Sequence, residues 1–216
     1  MQIIHILKQS GRLSDDFITV IKKSIRSTFK RAQKLVIVPS LDIVVMDDPQ
    51  SVVPELGISG YAKNPTTIFL SIDPSSSYLR DNLKQGIAST VTHELHHVMR
   101  MSGVGYGNTL LEALVSEGLA DHFDIELNQT EPKPWSIALK HHELKALSLL
   151  AEKEHHSRFY NHQDWFFGSK DEKIPRWAGY AIGFDLVGRY LEHRGLRPSQ
   201  LIDVSANDFV FNYSGE

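Results

Sequence analysis

The chain contains no cysteine, which removes disulfide staples, thiolate metal ligands and a thiol nucleophile together. Any bound metal must therefore rest on His, Asp or Glu. Long apolar runs are also missing: "LVIV" and "DIVVM" fall far short of the roughly 20 residues that span a bilayer, so no membrane association is expected. Neither sign of charge dominates. Lysine plus arginine number 23 against 26 for aspartate plus glutamate, a formal charge of −3, which offers no electrostatic grip on nucleic acid. The opening "MQIIHILKQSGRLSDD" has a short apolar run but no basic segment ahead of it, no long h-region and no small-residue cleavage site. A cytoplasmic location is the default expectation, although the lack of cysteine would suit a periplasm equally. Internal repeats and low-complexity tracts are absent as well. What is present is a chain of 216 residues, 41% hydrophobic and 23% charged, ordinary for a globular protein with a real core. One domain over residues 1–216 is expected, with an upper lobe at about 1–103 and a lower, helical lobe at about 104–216.

Apolar residues at Leu13, Phe17, Val20, Ile21, Ile25 and Phe29 recur at helical spacing and predict an amphipathic helix from Leu13 to Ala32. "LDIVVMDD" and "TTIFLSID", rich in β-branched residues and bounded by prolines, read as strands, and "ELGISGYAKN" between them adds another ending in a turn. "DPSSS" supplies N-cap residues for a long helix from Tyr78 to Met101, stopped by Gly103. Its core stripe is Leu79, Leu83, Ile87, Val91, Leu95 and Val98. A second helix starts near Asn108 or Thr109 and runs to about Leu127, before the breaker "TEPKP". Trp135 to His156 and Gly179 to His193 also read as helices, with a polar and aromatic loop between them. The fold class is thus α+β: a small mixed sheet plus a long helix in the first half and a mostly helical second half.

On the long helix lies "THELHHVMR". His93 and His97, four residues apart, are about 40° apart around the axis and one turn apart along it, so both rings can address one ion. They share a stripe with Gly86 and Thr90, away from the core residues, which points them at a cleft or the second lobe. Glu94 sits beside them, placed to take a proton from water without ligating. This is the H-E-x-x-H arrangement of zinc metalloproteases. Random placement of these residue types gives roughly 0.03 such matches per chain.

A catalytic zinc usually takes three protein ligands and leaves one position for water. "LLEALVSEGLADHFD" supplies Glu117 and Asp121 on one face of the next helix, where like charges four apart repel unless a cation or imidazoles face them. Glu117 is expected as the third ligand and Asp121 as the carboxylate that accepts a ligand histidine's N–H. Glu112, His122 and Asp124 compete as ligands. The metzincin extension H-E-x-x-H-x-x-G-x-x-H is absent, because Arg100 and Gly103 occupy its glycine and final histidine positions.

"HELHH" with "EGLAD" resembles the H-E-x-x-H plus E-x-x-x-D pattern of gluzincin metallopeptidases. More closely, it is similar to a bacterial domain family of unknown function described as predicted zinc-dependent proteases, whose members pair H-E-x-H-H with E-G-L-A. "RWAGYAIGFDLVGRYL" is similar to that family's C-terminal helix. The resemblance covers about Thr66 to Leu191. It implies one zinc per chain on His93, His97 and Glu117, Glu94 as the catalytic carboxylate, and a zincin-like metallopeptidase fold with an edge strand beside the cleft. The family's activity is itself a prediction, so the substrate is not inherited from it, and a peptide or protein substrate is expected from the hydrolytic site alone. "TTIFLSI" is the expected edge strand, able to hold an extended peptide by strand addition. Tyr180 is the first candidate to stabilise negative charge on the reacting carbonyl, with Arg176 and His162 behind it.

His96 points away from His93 and His97 and reads as a packing or solvent residue. The pairs His141–His142 and His155–His156 read as surface positions, and "DWFFG" either lines a substrate pocket or, as is more frequent, anchors a loop on the core. Two other functions use the same residues: a catalytically silent metal-binding regulatory module on a zincin frame, and a zinc hydrolase of a non-peptide amide or ester. A general base at Glu94 favours hydrolysis, since a structural zinc needs none.

Overall fold

A computed structural model describes residues 1–211. The protein is α+β, with one four-stranded sheet and six α-helices among the described residues. Its contacts divide it into two compact units, Met1–Ser102 and Gly103–Glu216.

The first unit runs β1 (Gln2–Leu7), α1 (Asp15–Ala32), β2 (Leu41–Asp47), β3 (Ile58–Asn64), β4 (Thr67–Ile72) and α2 (Ser77–Met101). The sheet order is β1-β2-β4-β3. β1, β2 and β4 are parallel neighbours, and β3 returns antiparallel to β4, with Ser59 opposite Ser71 and Tyr61 opposite Phe69. The strands alternate: Ile43, Val45, Ile68, Leu70 and Ile72 are wholly buried, while Asp42, Val44 and Phe69 between them are half-exposed. That period of two marks a sheet with one covered face. α1 packs on α2, and α2 lies along β3 and β4. α1 begins at its Ser14 cap, whose side chain accepts from the Phe17 N–H, and α2 at Ser76, which does the same for Leu79. The predicted stripe of α2 is buried throughout, and each wholly buried Ile, Val or Leu in it stabilises the fold by about 2 kcal/mol. Gly86, at one end of the histidine stripe, is half-buried, with Leu79 and Ile58 beside it.

The second unit holds α3 (Leu110–Asn128), α4 (His141–Glu154), α5 (His162–Phe167) and α6 (Ala178–Arg194), followed by two short 3-10 turns. Its centre is the crossing of α3 and α6. A Cβ at Gly118 would sit 2.1 Å from the Gly183 carbonyl oxygen, and one at Gly183 would sit 2.2 Å from the Leu114 oxygen. Two glycines therefore let the backbones touch, and the core around them holds Leu114, Val115, Trp165, Phe166, Ile182 and Val187.

Three expectations differ from the structure. The N-terminal apolar run is a full strand, β1, whose period-two burial was too short to read without its partner β2. α4 starts at His141 and not at Trp135: residues 134–137 form a turn, in which the Trp135 indole N–H and the Ser136 hydroxyl donate to Asp121. "TTIFLSI" is not an edge strand: β4 is paired on both sides, and β3 takes the edge.

Candidate metal centre

On α2, helical geometry brings the His93 and His97 rings together edge to face, with centroids 4.7 Å apart and Nε2 atoms facing each other at 3.0 Å. Two nitrogens bound tetrahedrally to one zinc at 2.0–2.1 Å lie about 3.3 Å apart, so the pair already has the spacing of two ligands on one ion. His97 is buried and His93 partly so. His96, by comparison, is wholly buried, which makes it a packing residue and removes the solvated alternative.

Glu94 is 7% exposed, and its Oε2 accepts the Ala62 backbone N–H at 2.7 Å. An edge strand thus holds the carboxylate. Gly60 lies still closer: a Cβ there would fall 2.4 Å from Glu94 Cγ and 2.6 Å from its Oε1. The Ile58 carbonyl accepts from Val53 and the Ala62 N–H donates to Glu94, both away from β4. Since backbone groups alternate sides in an antiparallel strand, Gly60 turns its N–H and C=O to that same outer side.

On α3, Glu117 is 6% exposed and its Oε1 accepts the Tyr106 hydroxyl at 2.6 Å. Asp121, one turn on, accepts the Trp135 indole N–H at 2.9 Å and the Ser136 hydroxyl at 2.7 Å through Oδ2. The three competing ligands have other tasks. Glu112 forms the capping box of α3 with Thr109. His122 stacks on Phe184 and bonds its carbonyl at 2.9 Å. Asp124 pairs with Lys133 at 2.7 Å.

A group of titratable side chains senses the Glu117 charge. Burial, then the Glu117 carboxylate, drives the Tyr106 phenol well above its ordinary pKa. The same two causes push Tyr160 up to about 12. Tyr160 shares a hydrogen bond of 3.1 Å with His162 Nδ1, and burial lowers the His162 pKa although the Glu117 charge works against it. Tyr180, on α6, is half-buried between Phe166 and Trp135, at centroid distances of 5.0 and 6.2 Å. Arg176 stacks on Trp177. His141 and His142 are exposed as expected, but His155 is half-buried against Phe211. Trp165 and Phe166 of "DWFFG" are core residues. Tyr106 and Tyr160 were missed by the sequence reading. The only trace of Tyr106 was a tyrosine between two glycines in a loop.

Residues 21–211 match the model of a family described as "Predicted Zn-dependent protease (DUF2268)". The chain belongs to this family. Its matched span contains all four of His93, Glu94, His97 and Glu117. A curated relative, the "Uncharacterized protein YjaZ" of Bacillus subtilis (strain 168), is 25% identical over 149 residues, covering 62% of this chain and 53% of its own length. The chain thus spans about half of that relative. No solved structure matches. No helix among the described residues is long and apolar enough to cross a membrane.

Proposed function

We propose that the protein is a zinc-dependent peptidase of gluzincin type, with one zinc held by His93, His97 and Glu117 and with Glu94 as general base and acid. One observation carries the reading: each of the three residues offers one ligand atom, and these atoms lie within 4.8 Å of one another. Two imidazoles and one carboxylate are a donor set used by catalytic zinc, with a position left for water. Family membership supports the same ion. Bound there, zinc would lower the pKa of water toward ~7 and polarise a scissile carbonyl.

The protein's own residues divide the remaining work. Glu94, oriented by the Ala62 N–H, takes the proton of the attacking water and delivers it to the leaving amine. The outward N–H and C=O of Gly60 offer an extended peptide a place beside β3, in strand addition, which puts the scissile bond next to Glu94. Tyr180 donates to the carbonyl oxygen as negative charge grows on it. Asp121, with Oδ2 fixed by Trp135 and Ser136, accepts the N–H of a ligand histidine and sets its tautomer. A zincin-like fold accommodates these roles, with α2 as the active-site helix.

The test is a panel of unstructured peptides incubated with and without a chelator. Cleavage that a chelator abolishes and added zinc restores is expected. Stoichiometric zinc with no cleavage of any peptide would favour the silent binding module instead, and turnover of simple esters alone would favour a non-peptide hydrolase.

A further inference from the structure

We infer that Tyr106 is a positioning residue for the metal site, whose hydroxyl occupies Oε1 of Glu117 and so makes Glu117 a ligand through one oxygen only. The inference rests on the reading of Glu117 as a ligand.

The contact is that of a donor meeting a charged acceptor. At 2.6 Å the phenol and carboxylate oxygens lie within the range of a charge-assisted O–H···O⁻ bond. A phenyl ring would fill the same apolar space, so packing does not account for the hydroxyl.

The loop before α3 is built to deliver it. Gly105 and Gly107, on either side of Tyr106, have φ of 88° and 110°, in the region that favours glycine. At Gly107 there is no room for any other residue, since a Cβ would fall 2.1 Å from Glu112 Cβ. Glu112 in turn accepts the N–H groups of Asn108 and Thr109 at 2.7 and 2.8 Å. The Tyr106 carbonyl is fastened by the Ser116 hydroxyl at 2.8 Å, from the residue immediately before Glu117. The backbone of the tyrosine and that of its carboxylate partner are therefore tied to each other one hydrogen bond away from the contact they serve.

A carboxylate with one oxygen engaged this way turns its other oxygen to an ion in a fixed direction. Groups that hold a ligating side chain typically contribute 10–100-fold to metal affinity. Tyr106→Phe keeps the ring and removes only the donor, so the metal-free variant should stay folded, with its melting temperature lowered by only a few degrees as for the loss of one buried hydrogen bond, while its zinc affinity, measured by competition with a chromophoric chelator, falls roughly 10–100-fold. Zinc-edge X-ray absorption of the loaded wild-type protein should show one carboxylate oxygen on the metal, and of the variant a second.

Wild-type zinc affinity in a folded Tyr106→Phe variant would overturn the inference. So would a carboxylate bound through both oxygens in the wild type, a result that does not depend on any variant folding. Glu117→Ala separates the two levels. If it binds zinc like the wild type, the ligand assignment itself fails; if it loses zinc while Tyr106→Phe does not, only the role of Tyr106 fails.

Discussion

A single methyl group on β3 would reach the carboxylate on which the proposed chemistry depends. Gly60→Ala adds a Cβ 2.4 Å from Glu94 Cγ, and the flexible carboxylate will give way before the helix does. Because a misplacement of about 1 Å can cost a hundredfold in rate, this variant should lose roughly a hundredfold in turnover with its zinc content unchanged. Zinc analysis beside a peptide assay checks this, and a parallel loss of zinc would mean that α2 itself had shifted. At this scale the sequence was legible where local geometry decides. His93, Glu94 and His97 lie on one helix, and 3.6 residues per turn is enough to place them. Tyr106, Tyr160 and His162 were not legible as a group, since Tyr106 and Tyr160 lie in loops and only the tertiary fold sets all three within reach of the Glu117 charge.

Elements repeat the contrast. The stripe of α2 followed from periodicity and the start of α3 near Asn108 or Thr109 from N-cap residue types, both properties of short windows. Strand order did not. β4 as an interior strand and β3 as the edge depend on pairings between distant segments, and β1 carries too little pattern to declare itself without β2. The capping box offers a clean test of local stability. Glu112 accepts from Asn108, from Thr109 and from the Thr109 hydroxyl. Burial alone would raise its pKa, but these hydrogen bonds outweigh it and hold the carboxyl below its ordinary range. Glu112→Ala should cost about 1–2 kcal/mol, which for a chain of this size lowers the thermal midpoint by roughly 2–4 °C per kcal/mol. Calorimetry of the metal-free protein measures it, and an unchanged midpoint would show that the box contributes nothing.

For the molecule as a whole, the described histidines with shifted pKa values set a direction with pH. Burial keeps His122 and His162 below the ordinary value of 6.5, so the unfolded chain takes up protons more readily than the folded one. Stability therefore rises with pH between the lowered values and 6.5, and is lost as pH falls through that window. With chelator present, the thermal midpoint should drop between pH 7.5 and 5.5, and His122→Gln should show a smaller drop than the wild type. A drop of the same size in both would remove His122 from the account. Glu94 carries the central claim and also gives its most direct test. Replacing it by Gln keeps the side chain's shape and its acceptor for Ala62, yet removes the base. Glu94→Gln should retain about one zinc per chain while peptide hydrolysis falls by roughly 10²–10⁴-fold, the usual contribution of a general acid–base. Hydrolysis at the wild-type rate by a zinc-loaded Glu94→Gln protein would contradict it.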